Sequence, residues 1–308
     1  MTTTMQRRPA AVQPAPARPA ARRRRWLPWL YLAPALGLLI TFTYVPVGNM
    51  VFYSFHSWDG LDVTMDPVGL DNYVRVFTDE RYWRVFLISL YYFVASFAQI
   101  AIALYFAVIL SFNTRFRNLF KGILFFPYLL NGVAVGFVFL YLFQPDGTLD
   151  TVLRWIGLGD QTRYWLGDPD IANISLAGTS VWRFTGLSFV LFLGAIQSIP
   201  GEIYEAAEID GASRWDQVWH IIVPGIRRII SLSFILAISG SLSVFEIPFI
   251  MTGGANGTRT FVVQAYETAF QFRQIGLASA MAVVLLLIVL LVTWIQRRLV
   301  PDEEVSLS

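Results

Sequence analysis

Glu205-Ala206-Ala207-Glu208-Ile209-Asp210-Gly211, followed ten residues after the glycine by Ile221-Ile222-Val223-Pro224, stands between two strongly apolar stretches. Alanine pairs and early acids favour a helix start and interior. Gly211 can take the positive φ that ends one. Ser213 with Asp216 three residues on approximates a capping box for a second helix. Pro200 suits a first helical turn, and Pro224 is placed to open the following apolar segment. The region 199–228 therefore reads as two short helices joined at a corner. A corner lined by alanine and glycine lets a partner's groove approach closely; an amphipathic helix lying on a membrane surface is the competing reading.

The flanking stretches decide the class. Of 308 residues, 56% are hydrophobic and 14% charged, with mean hydropathy +0.55. Soluble domains carry about 25% charged residues, so much of this chain's surface faces lipid. Six runs are long enough to cross a bilayer, about twenty residues each: 30–55, 85–110, 119–143, 171–196, 229–250 and 276–295. The fourth carries Arg183 among Ser and Asn, and without it the count falls to five. Arginine placement tests the count. With the N-terminus inside, inner segments hold fifteen of the 23 basic residues and outer loops seven, Arg183 lying within a span. That bias puts both termini in the cytoplasm, as an even number of spans requires. The expected architecture is all-α and integral to the membrane. A basic tail, 1–28, precedes a transmembrane domain, 29–300, and a short tail, 301–308. The Pro-Ala repeats and seven arginines of the first tail cannot support a core; its expected partner is anionic lipid.

Several chemistries are excluded. There is no cysteine, and His56 and His220 fall on opposite expected sides, so no His/Cys metal cluster can form. Neither a Gly-x-Ser-x-Gly elbow nor a His-Glu-x-x-His motif occurs. A P-loop needs Gly-Lys-Ser/Thr, and Lys121, the only lysine, lies between Phe120 and Gly122. Dispersed arginines give no nucleic-acid surface. Polar residues inside spans remain. Arg183 costs roughly 2.5–3.5 kcal/mol to insert and calls for a wet cavity or a partner helix. Ser239, Ser243 and Glu246 recur at i, i+4 and i+7, one helical face, with Pro248 expected to kink or end that helix. They either border a solute path or serve helix packing. Tyr128, Asn131 and Gln197 are further candidates.

Glu205-Ala206-Ala207, Asp210-Gly211 and, after nine intervening residues, Ile221-x-Val223-Pro224 resemble the signature loop of ABC importer permeases, whose pattern ends Ile-x-Leu-Pro. Gly69-Leu-Asp-Asn-Tyr73, Phe126-Pro127, Pro145-Asp146-Gly147, Trp182-Arg183 and Thr252-Gly253-Gly254 are similar to the sugar-importer (MalF/UgpA-like) branch, which continues the last motif Gly-Pro where this chain has Ala255-Asn256. The resemblance implies six transmembrane helices of the MetI-like type in a prokaryotic cell membrane. It implies one half of a pore, completed by a second, homologous permease. Two ABC ATPase subunits would bind ATP and Mg, and an extracytoplasmic solute-binding protein would deliver a sugar or oligosaccharide. Glu205, Ala206, Ala207, Asp210, Gly211 and Pro224 would couple the pore to the ATPases. Import of glycerol-3-phosphate or another hydrophilic solute is the alternative within the family. Outside it, an ion-coupled secondary transporter would be expected to carry repeat halves and acid-lined sites.

Overall fold

A computed structural model describes residues 27–112 and 117–299. The terminal tails expected at 1–28 and 301–308 lie almost wholly outside the described residues. The chain divides into two units at Gly48 and Asn49. The described part of the first is helical from Leu27, with a π-helical turn at Ile40–Tyr44. A second π turn, Val218–Ile222, occurs in the other unit. Each ends two residues before a proline, Pro46 and Pro224. A helical proline offers no N–H to the i−4 carbonyl and crowds it, and a π turn absorbs the mismatch with one extra residue.

The stretch Trp29–Ser54, labelled α1, is long and apolar enough to cross a membrane, and four further candidates follow it. Within the second unit the main elements are α2 (Asp71–Thr78), α3 (Val85–Ser111), α4 (Arg117–Leu129), α5 (Gly132–Leu142), α6 (Thr148–Trp155) and α7 (Pro169–Gln197). After these come α8 (Gly201–Ile209), α9 (Arg214–Gln217), α10 (Arg227–Leu242), α11 (Glu246–Thr252), α12 (Phe261–Phe270) and α13 (Ile275–Leu299). The fourth expected span, weakened in the sequence by Arg183, is a single 29-residue helix, α7. Asp168 caps it by accepting from the Asp170 N–H, and Pro169 occupies its first position.

α3 and α7 form the spine. On α3 the buried positions are Ser89, Tyr92, Ser96, Ile100, Ala103, Ala107 and Leu110. Their three- and four-residue spacing makes one stripe along the helix. Ala103 and Ala107 have no exposed surface and let the backbones approach. Phe189, Phe192, Leu193 and Ile196 of α7 and Ile222 and Ile226 close this inner core. A second core toward the outer end joins Val76 and Tyr82 to Phe261 of α12 and Leu277, Ala280, Met281 and Val284 of α13.

Two expected spans are interrupted. The third, taken as one run over 119–143, is two helices, α4 and α5, bent by 98°. The first ends at Leu129; Asn131 is extended (φ −60°, ψ 136°), and its side chain accepts from the Val133 N–H at 2.9 Å. An asparagine that caps a new helix stops the old one. The fifth, 229–250, breaks at residues 243–245. Pro248 does not end a helix here: it lies in the first turn of α11, where a missing N–H is tolerated. The break frees the Val244 carbonyl, which Pro248 could not have satisfied. Thr260 Oγ1 donates to it at 2.7 Å. Pro224 likewise does not open α10; a non-helical Ile226 (φ −106°, ψ 10°) intervenes.

Thr260 is fully buried and also caps α12 by accepting from Val263 N. Thr260→Val keeps the shape while removing both bonds. The expected loss is about 1–3 kcal/mol, read as reduced thermal stability of the detergent-solubilised protein. Unchanged stability would remove this hydroxyl from the account of the break.

Candidate functional site

Two regions hold the residues singled out from the sequence. The first is the segment from α8 to α10, expected from arginine placement to lie on the cytoplasmic side. α8 ends as expected at Gly211, whose φ is +81°. The Gly211 N–H reaches the Glu208 carbonyl at 3.1 Å and the Ala212 N–H reaches the Ala207 carbonyl at 2.9 Å. Both bonds together make a Schellman cap. Ser213 then caps α9, and the reciprocal box with Asp216 is complete. The Ser213 hydroxyl, followed by its backbone N–H, holds the Asp216 carboxyl below the usual carboxylate range. Tyr204 and Val218 pack on the inner core with Ile199, while Glu205, Ala206, Asp210 and Gly211 face solvent. Pro224 is exposed beside Gly225. Ile209, 87% exposed, and Trp215, 67% exposed, flank the corner.

The second region is a cavity of about 610 Å³ walled by α3, α7 and α10–α11. Arg183, Ser243 and Glu246 line it, as do Tyr92, Gln99 and Ser233. Arg183 Nη1 donates to Glu246 Oε2 at 2.7 Å, an ion pair joining α7 to the first turn of α11. Gln99 Nε2 donates to Ser188 Oγ at 2.9 Å and to the Phe184 carbonyl at 3.2 Å. Tyr92 and Ser233 are 3% exposed, and neither hydroxyl has a hydrogen-bond partner. Unpaired buried hydroxyls are costly, and both oxygens are themselves buried behind the cavity surface.

Ser239, Ser243 and Glu246 do not share a helical face, because α10 ends at Leu242 and the next helix begins only at Glu246. Ser239 is off the cavity wall; Ser233 and Ser241 occupy it instead. Tyr128 and Asn131 are outside it too. The Tyr128 ring lies 6.4 Å from that of Phe184, which does line the wall, and Asn131 serves as the helix cap described above. Sequence reasoning missed Tyr92, Gln99 and Ser233. For Tyr92 and Gln99 the signal available was a polar group within the high-hydropathy run of α3, and for Ser233 a serine within α10. It also missed Gly132, where a Cβ would fall onto the Glu246 carboxylate and Arg183 Nη1.

Residues 99–304, from the polar position on α3 to beyond the C-terminal end of α13, match the family model described as the binding-protein-dependent transport system inner membrane component. The chain belongs to that family. This permease is 33% identical over 278 residues to the probable ABC transporter permease protein YurN of Bacillus subtilis (strain 168), covering 88% of the chain and 95% of the relative. It is 32% identical over 280 residues to the multiple sugar-binding transport system permease protein MsmF of Streptococcus mutans, covering 90% and 96%. Among solved structures, a chain of a bacterial alginate ABC transporter in complex with an alginate pentasaccharide-bound periplasmic protein superposes with a TM-score of 0.78 at 21% identity, covering 90% of the permease and 94% of that chain. That likeness establishes the fold. The permease is thus a multi-pass inner-membrane component, of all-α, MetI-like architecture, of a binding-protein-dependent ABC importer.

Proposed function

We propose that this permease forms half of the pore of an ATP-driven ABC importer for a sugar or oligosaccharide. The observation that carries this reading is the intramembrane cavity: serine hydroxyls and one amide interrupt a mostly apolar wall around the paired Arg183 and Glu246, which suits a neutral solute carrying both hydroxyls and apolar ring faces. The name of the sugar-transport relative points the same way. A second, homologous permease completes the path, and Arg183, Ser243 and Glu246 border it. Tyr128 and Asn131 act on it from outside the cavity wall, as Ser239 does. ATP and Mg are bound by two separate ATPase subunits. Glu205, Ala206, Ala207, Asp210 and Gly211, with Pro224 behind them, transmit the motion of those subunits. The capped corner supports this role: a rigid Schellman turn next to a capping box moves as a body and carries force into α10. A binding protein on the outer face delivers the solute.

Uptake of labelled mono- and oligosaccharides and of glycerol phosphates, in cells with and without the gene, tests the cargo. Loss of one saccharide's uptake is the expected result. Loss confined to a glycerol phosphate would replace the sugar reading with an anionic one. In that case the arginine of the cavity wall would have to leave Glu246 for the phosphate.

A further inference from the structure

The two helix interruptions meet. α5 begins at Gly132, directly after the bend, and α11 begins at Glu246, directly after the break. Arg183 projects to the same point from the unbroken α7. α4 packs on α7, whereas α5 packs chiefly on α11. The segments beyond both breaks therefore pack on each other, and Ile247 and Met251 of α11 also share a buried core with Tyr92 of α3 and Leu176 and Ala177 of α7. Chain direction places Tyr92, Ser180 and Ile247 toward the outer side of the cavity and Gln99, Leu191 and Ser233 toward the inner side. The ion pair sits in the outward half.

We propose that Arg183, Glu246 and Gly132 form a clasp that closes the outward end of the cavity by holding the α5–α11 pair onto α7. The proposal rests on the reading of the cavity as part of the solute path. Gly132 is a positioning residue: any side chain there would occupy the place where the two charges meet. The Arg183 side chain is 15% exposed and that of Glu246 48%. A half-hydrated pair can be separated at modest cost, whereas a fully buried one cannot. Arg183 Nε is buried without a hydrogen-bond partner, so the guanidinium is not locked on every side. A clasp of this kind holds the outer end shut at rest and yields when the ATPases move the inner half. The two breaks supply the hinges.

The absence of native cysteine gives a clean reporter. Ser243→Cys places a single thiol in the cavity wall. In right-side-out vesicles containing the complete transporter, its reaction with a membrane-impermeant methanethiosulfonate is timed without ATP or solute. The expected result is slow labelling in the parent. Glu246→Gln, Arg183→Ala and Gly132→Ala should each label about tenfold faster, as a two-state equilibrium shifts. The charge swap Arg183→Glu with Glu246→Arg should return to within about threefold of the parent, because the two sites couple directly. Equal rates in the parent, Glu246→Gln and Gly132→Ala overturn the clasp, and so does a swap that labels as fast as the single variants. Labelling needs no cargo, so it stands apart from uptake by the unsubstituted permease, which tests the transport reading.

Discussion

Gly211→Pro abolishes binding-protein-stimulated ATP hydrolysis by the assembled transporter while leaving the permease inserted and folded. Proline cannot follow the native backbone. Its ring holds φ near −65°, and position 211 sits at +81°. It also removes the N–H that reaches the Glu208 carbonyl, one of the two bonds of the cap. The corner must therefore open, separating α8 from α9. Nothing lies within 4 Å of a Cβ at this position, so the damage is conformational and does not spread by steric contact. The inner core stays closed because Tyr204, Ile199 and Val218 reach it from either side of the corner. Gly211→Ala is the graded control. It keeps the N–H and meets only the left-handed penalty, roughly 1–2 kcal/mol for a residue with a Cβ. Stimulated hydrolysis should fall by more than about 100-fold in the proline variant and by about tenfold or less in the alanine variant, at about 1.36 kcal/mol per decade. The measurement is hydrolysis in proteoliposomes with and without loaded binding protein. Wild-type stimulation in Gly211→Pro would remove the corner from the coupling path.

Much of this region was legible in advance because its determinants are local. A glycine that must be left-handed, a Ser-x-x-Asp box and alanines next to early acids act within a few residues of themselves. Span placement was legible for the same reason: bilayer thickness imposes a length on any apolar run. The breaks were not. In 119–143 hydropathy continues through Leu130 and Asn131, and the capping geometry of one asparagine outweighs it. In 229–250 the proline drew attention to its own position, yet the interruption falls upstream. The acceptor it cannot satisfy belongs to Val244, and the donor that relieves it, Thr260, is sixteen residues away. Long-range partners leave little trace in a single run. The Arg183–Glu246 pairing is of the same kind, 63 residues apart in sequence. Each charge was conspicuous alone, but their meeting point at a side-chain-free residue was not.

That meeting point depends on how closely α4 approaches α7, which is set by Gly186. A Cβ at 186 would stand 2.5 Å from the Leu124 carbonyl oxygen and 3.0 Å from Phe125 Cα. Both are backbone atoms, so no rotamer change relieves the clash and the helices must separate. In lipid no hydrophobic force drives them back together, since association rests on close packing and small residues at the contact. Gly178, eight residues earlier on α7, is exposed, and a Cβ there would meet nothing within 4 Å. The same substitution at both sites separates packing from helix propensity, which leucine improves equally in each. Gly178→Leu should assemble at the parent's level. Gly186→Leu should lose more than about 3 kcal/mol, the upper range for overpacking, and its yield of intact complex should collapse. Size-exclusion profiles of the purified transporter, with thermal stability of whatever survives, give the comparison. If Gly186→Leu assembles as well as Gly178→Leu, the α4–α7 approach is adjustable, and a fixed seat for Arg183 opposite Gly132 can no longer be argued from this contact.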